Sequence, residues 1–157
     1  MWRRGGELVM YTRNGFSLIE LMVVVAIMGI IAIVAYPSYL QYLQRTHRAD
    51  VQAEMTNIAQ IMESRRLANS SYLSTDTSRN NILSIYGSTT SPKQGGALYT
   101  LAFTSLTTSS WVLTATPISS SSQRNNGIIC LNDQGQKFWA KGASGCSLSN
   151  TSNWNGR

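Results

Sequence analysis

Residues 16–36, FSLIELMVVVAIMGIIAIVAY, form an apolar run interrupted by a single charged side chain, Glu20. At ~1.5 Å per residue a helix of this length crosses a ~30 Å hydrocarbon core, so the run predicts a membrane span. Pro37 follows at once and predicts a kink or a melted turn, because proline removes an amide donor and clashes with the carbonyl four residues back. Beyond it the apolar positions recur at helical spacing. Val51, Met55, Ile58 and Met62 make a stripe flanked by Arg48, Asp50, Glu54 and Glu63, which fades near Leu67-Ala68-Asn69-Ser70-Ser71. Residues 72–96 are rich in Ser, Thr, Asn and Gly and read as a connecting loop. The period then changes to two. Tyr99, Leu101 and Phe103 alternate with Thr100, Ala102 and Thr104, and Trp111, Leu113 and Ala115 with Val112, Thr114 and Thr116, which predicts a hairpin. A second hairpin joins residues 128–131 to residues 136–140 across Asn132-Asp133-Gln134-Gly135. The pattern as a whole predicts an α+β fold: a long N-terminal α-helix, membrane-spanning in its first half, packed on a four-stranded antiparallel sheet.

The start of the apolar run is as informative as its length. A cleaved secretory signal needs small residues before a cut lying beyond the apolar core, and a cut after Ala35 would put the bulky Ile33 at the third position. Asn14-Gly15-Phe16-Ser17-Leu18-Ile19-Glu20 instead places polar residues and a glycine just before the run, with a carboxylate just inside it. An ionised carboxylate in hydrocarbon costs about 2.5 kcal/mol or more, so Glu20 calls for a partner. A cut between Gly15 and Phe16 would create one, the α-ammonium of a neighbouring chain. The alternative is a Glu20 that sits at the helix start, where the helix dipole favours an acid. Arg3, Arg4 and Arg13 precede the run, which leaves the N-terminus cytoplasmic and the rest of the chain outside.

The segment RNGFSLIELMVVVAIMGIIAIVAYPSY resembles the leader junction and first helix of type IV pilins, and the fifteen-residue leader with a following phenylalanine is similar to the type IVa subclass. The resemblance implies a prepilin peptidase and methyltransferase that cuts after Gly15 and methylates Phe16. It also implies a role for Glu20 in recruiting the subunit to a filament. Domains follow from it: a leader over 1–15, a transmembrane and assembly helix over 16–43, and a head over 44–157 that includes the amphipathic half of the helix. Thr46-His47-Arg48-Ala49-Asp50, Asn69-Ser70-Ser71-Tyr72 and Leu113-Thr114-Ala115-Thr116-Pro117 are similar to PilE-type minor pilins, which prime or cap pilus assembly. The implied partners are other pilins, the peptidase and the inner membrane, and the implied destination is an extracellular pilus.

Cys130 and Cys146 are too far apart for a redox or zinc pair, and export favours a structural disulfide over two buried thiols. In type IV pilins a late disulfide bounds a surface loop, which the resemblance carries onto this pair. The net charge of +6 falls to a modest +4 once residues 1–15, with three arginines and Glu7, are removed. It raises DNA or anionic lipid as a partner.

Two further pilin-like readings share this N-terminus. One is a DNA-binding competence pilin using Arg65, Arg66, Lys93, Arg124, Lys137 and Lys141. The other is a type II secretion pseudopilin. Those cations are scattered along the sequence without interleaved aromatics, which reads as a solvated face. His47 is the only histidine, and the chain shows no phosphate loop, nucleophile motif or carboxylate cluster, so no enzyme, cofactor or metal site is expected. Gly29 reads as neutral within the span and Trp154 as a packed tail residue.

Overall fold

The structure of the chain, a computed structural model, describes residues 15–156. The leader expected over 1–15 therefore lies outside the described residues except for Gly15. Helix α1 runs over Leu18–Asn69 with Pro37 inside it. The helix continues on both sides of the proline, so the melted turn considered above does not form. By backbone contacts the chain divides between Leu40 and Gln41 into two units, each described by itself.

In the first unit every residue from 16 to 40 is exposed. Phe16, Ile33 and Val34 show 81%, 74% and 74% of their surface. That fits an apolar helix whose surroundings are lipid or other chains rather than its own fold. At its N-terminal end the backbone amides of Glu20 and Leu21 donate to the Ser17 carbonyl, and the Glu20 carboxylate accepts from the Ser17 amide at 3.4 Å. Ser17-Leu18-Ile19-Glu20 thus has the spacing of a capping box, in which the acid three residues in satisfies an orphan donor.

In the second unit α1 buries Val51, Met55, Ile58 and Met62 completely. Each such aliphatic side chain contributes ~1.5–3 kcal/mol relative to staying in water. They lie on the sheet face formed by Tyr99 and Leu101 of β2 (Tyr99–Leu106), Trp111, Leu113 and Ala115 of β3 (Trp111–Pro117), and Ile129 and Leu131 of β4 (Ile129–Asn132). Leu101 pairs with Ala115, and Leu113 with Leu131, so the alternation expected from the sequence is in register across three strands. β5 (Lys137–Trp139) closes the second hairpin, with Gly135 at φ 74° in its turn. The Asn132 side chain accepts from the Gln136 amide at 2.9 Å in that turn.

The sheet has five strands where four were expected. The additional strand β1 (Thr90–Ser91) pairs antiparallel with the start of β2, giving the order β1-β2-β3-β4-β5. It belongs to the segment read as a loop, which also holds a 3-10 turn at Thr77–Arg79 and the short helix α2 at Ile82–Tyr86. Asp76 caps the turn, Asn81 caps α2 by accepting from the Ser84 amide at 2.9 Å, and Gly87 ends α2 at φ 83°. Ile82, Ile85 and Tyr86 are buried, so the short apolar pieces of this polar stretch are what fasten it to the core.

Candidate functional site: a basic groove beside the C-terminal tail

After β5 the chain folds back over the sheet edge. Cys130 of β4 is disulfide-bonded to Cys146, the Ile128 amide donates to the Ala143 carbonyl at 2.9 Å, and the Trp139 amide to the Asn153 carbonyl at 3.2 Å. Two indoles add to these ties. Trp139 Nε1 donates to the Asn126 carbonyl at 2.8 Å, and Trp154 Nε1 to the Cys130 carbonyl at 3.1 Å. Trp154 is thus a packed tail residue, as read from the sequence.

Between this tail and one face of α1 lies a half-open groove of about 560 Å³. Its helical wall carries Gln44, Arg48 and Gln52, four apart on one face, with Arg45 three before Arg48 beside them. Trp139, Lys141, Trp154 and Asn155 form the opposite wall. The Arg48 guanidinium lies 3.6 Å from the Trp139 ring centroid, a cation–π stack, and its Nη1 donates to Asn126 Oδ1 at 3.2 Å. Asn126 in turn donates to Gln123 Oε1 at 2.7 Å and to the Tyr99 hydroxyl at 3.1 Å, and Tyr99 donates to Gln123 Oε1 at 2.9 Å. This buried network fixes Arg48 from below. Lys137 Nζ stands 4.7 Å over the Trp154 ring at the rim.

Among the described residues no carboxylate lines the groove. Among the described residues the ion pairs are His47 with Asp50 and Arg79 with Asp76, and neither involves Arg45, Arg48 or Lys141. Burial pulls the Arg48 guanidinium below its ordinary value; Tyr99 opposes the shift and Arg45 adds to it. The amide nitrogen of Gln52 is buried without a hydrogen-bond partner.

The charge distribution therefore differs from the scattered face expected from the sequence. Lys137 and Lys141 gather with Arg45 and Arg48 around two tryptophans. The remaining sequence candidates are held elsewhere: Arg65 donates to the Arg79 carbonyl, Arg66 to the Tyr72 hydroxyl, and Lys93 to the Tyr86 carbonyl. Arg124 is exposed. Arg45, Arg48 and the two tryptophans were not among the candidates for an anion site. The one early signal was Arg45 and Arg48 three apart on a helix face.

A long helix with an exposed apolar first half and an amphipathic second half, laid on an antiparallel meander with a disulfide-tied tail, defines a pilin-class filament subunit. A model of the prokaryotic N-terminal methylation motif matches residues 10–36, and the model described as "Type IV minor pilin ComP, DNA uptake sequence receptor" matches residues 37–132. The chain belongs to that family of type IV minor pilins, which are structural subunits. It is anchored in the inner membrane by its apolar helix and then enters the extracellular pilus alongside other pilins. Among solved structures it is similar to the non-core minor pilin PilV of Neisseria meningitidis, with 15% identity over 71% of this chain and 93% of that one and a TM-score of 0.46. No curated protein sequence matches the chain.

Proposed function

We propose that this chain is a minor pilin that is cut between Gly15 and Phe16, methylated at Phe16, drawn into the filament through Glu20, and receives DNA at the pilus surface. The observation that carries the DNA role is the match of residues 37–132, most of the head, to a family described as receptors for a DNA uptake sequence. Processing and assembly draw support from the exposed apolar helix and from the position of Glu20 at its first turn. Among the described residues the Glu20 carboxylate accepts from the Ser17 amide, at 3.4 Å. Its other carboxylate oxygen would accept from the ammonium of a processed neighbour, an interaction strengthened where water is scarce.

Mass spectrometry of sheared filaments tests the first part. A trace species beginning at methylated Phe16 is the expected result, Gly15→Leu should leave the leader attached, and Glu20→Ala should yield a processed chain missing from the filaments. Normal incorporation of either variant refutes the assignment of these residues. Deleting the chain should lower natural transformation while filaments remain, and unchanged DNA uptake would remove the receptor role while leaving the pilin.

A further inference from the structure

We infer that the groove between α1 and the C-terminal tail is a seat for the phosphate backbone of nucleic acid, with Arg45, Arg48 and Lys141 as the phosphate-binding cations. This rests on the DNA-receiving reading above and assigns it a location.

Three observations converge. Three cations face one groove in which, among the described residues, no carboxylate stands beside them, so like charges are held close together. Such an arrangement raises the energy of the empty protein and is relieved by a polyanion. Arg48 is the second element. Its guanidinium plane is fixed by the Trp139 face and by Asn126, which is itself locked in the Tyr99 and Gln123 network. A guanidinium held in place loses little side-chain entropy on binding and presents its remaining N–H donors in the fork that suits phosphate oxygens. Third, the groove offers uncharged donors beside the cations: the buried, unpartnered amide of Gln52 and the side chain of Asn155.

The tryptophans do not serve as stacking platforms for bases. Trp139 is covered by Arg48, and Gly156 lies so close to its ring that an added Cβ would sit 2.7 Å from Cζ3. Trp154 has Lys137 over its ring. The contacts available are to phosphate, which predicts affinity for duplex DNA that is strongly salt-dependent and carries no sequence information from this groove.

The test uses the mature full-length chain in a neutral detergent and the fluorescence anisotropy of a labelled 24-base-pair duplex between 50 and 200 mM salt. Three phosphate contacts give a log affinity against log salt slope of about −2.7 from this groove. Arg45→Gln with Lys141→Gln removes two of them, side chains that make no hydrogen bond or ion pair among the described residues, and should flatten the slope by about 1.8 and lower affinity at least tenfold at 100 mM salt. Arg79→Gln, far along the chain on the 3-10 turn, is the control and should bind as the parent does. A double variant that keeps the parent slope and affinity overturns the groove assignment while the DNA reading stands. A parent chain that binds no duplex overturns both. Should vesicles containing phosphatidylglycerol then bind the parent but not the double variant, the groove is a lipid-headgroup site and the inference is wrong.

Discussion

Gly127→Ala is the substitution whose effect the backbone specifies most closely. Gly127 sits at φ 90°, and a Cβ built there would overlap the Ala140 carbonyl oxygen and approach the Gly142 amide nitrogen at 3.0 Å. Two costs add. The left-handed conformation costs a non-glycine residue about 1–2 kcal/mol. Forcing a methyl into a filled space costs about 1–3 kcal/mol more through backbone displacement. The obstacle is main chain rather than a side chain that could rotate away. Gly135→Ala supplies the comparison, because Gly135 has a similar φ of 74° but nothing within 4 Å of its added Cβ. Near-ultraviolet circular dichroism of the head tryptophans on heating measures both variants. At about 4 °C per kcal/mol for a domain of this size, Gly135→Ala should melt ~4–8 °C below the parent and Gly127→Ala ~8–20 °C below it. Midpoints within about 2 °C of each other would show that no steric contact exists at Gly127, and with it the packing of residues 140–142 against residue 127 would be wrong.

The remaining expectations concern the tail and the core tyrosines. Cys130→Ser with Cys146→Ser opens a loop of sequence separation 16. Loop-closure entropy then predicts a loss of about 3 kcal/mol in a urea titration, and an unchanged midpoint would mean that the loop is already restrained in the unfolded chain. Burial raises the hydroxyl pKa of Tyr72, Tyr99 and Tyr86, that of Tyr86 to about 12, with Glu54 beside Tyr86 adding to its shift. The unfolded chain ionises first, near the ordinary tyrosine value, so this stability is intact below pH ~10 and disappears as pH rises towards 12. Tyrosinate absorbance at 295 nm should therefore show a late fraction that appears together with unfolding. Complete titration near pH 10 with the fold retained would contradict the burial.

The sequence pattern carried the parts of the fold that repeat. The apolar run of residues 16–36 needs no tertiary information, because its surroundings are uniformly apolar. Val51, Met55, Ile58 and Met62 signalled their face by spacing alone, as did the alternating residues of β2 and β3. α2 and β1 were not legible, since five and two residues are too few to repeat a helical or strand period, and α2 is held by Ile82, Ile85 and Tyr86 docking on a core built elsewhere. The groove was hidden for a different reason. Arg48 meets Trp139 and Asn126 only because the tail folds back, and residues far apart in sequence carry no local sign of such a meeting. The cations are therefore scattered along the sequence and clustered in the fold.

The sheet order β1-β2-β3-β4-β5 also has a kinetic side. Each strand pairs with its neighbour in sequence, so every step in building the sheet closes only a short loop, and chains of that kind fold quickly. A head tethered outside a membrane by its own first helix can complete its meander by successive hairpins without waiting for distant segments. Rapid closure shortens the time for which strand edges and tryptophans stand open to neighbouring chains crowded on the same membrane, where aggregation competes with export of the subunit into the filament.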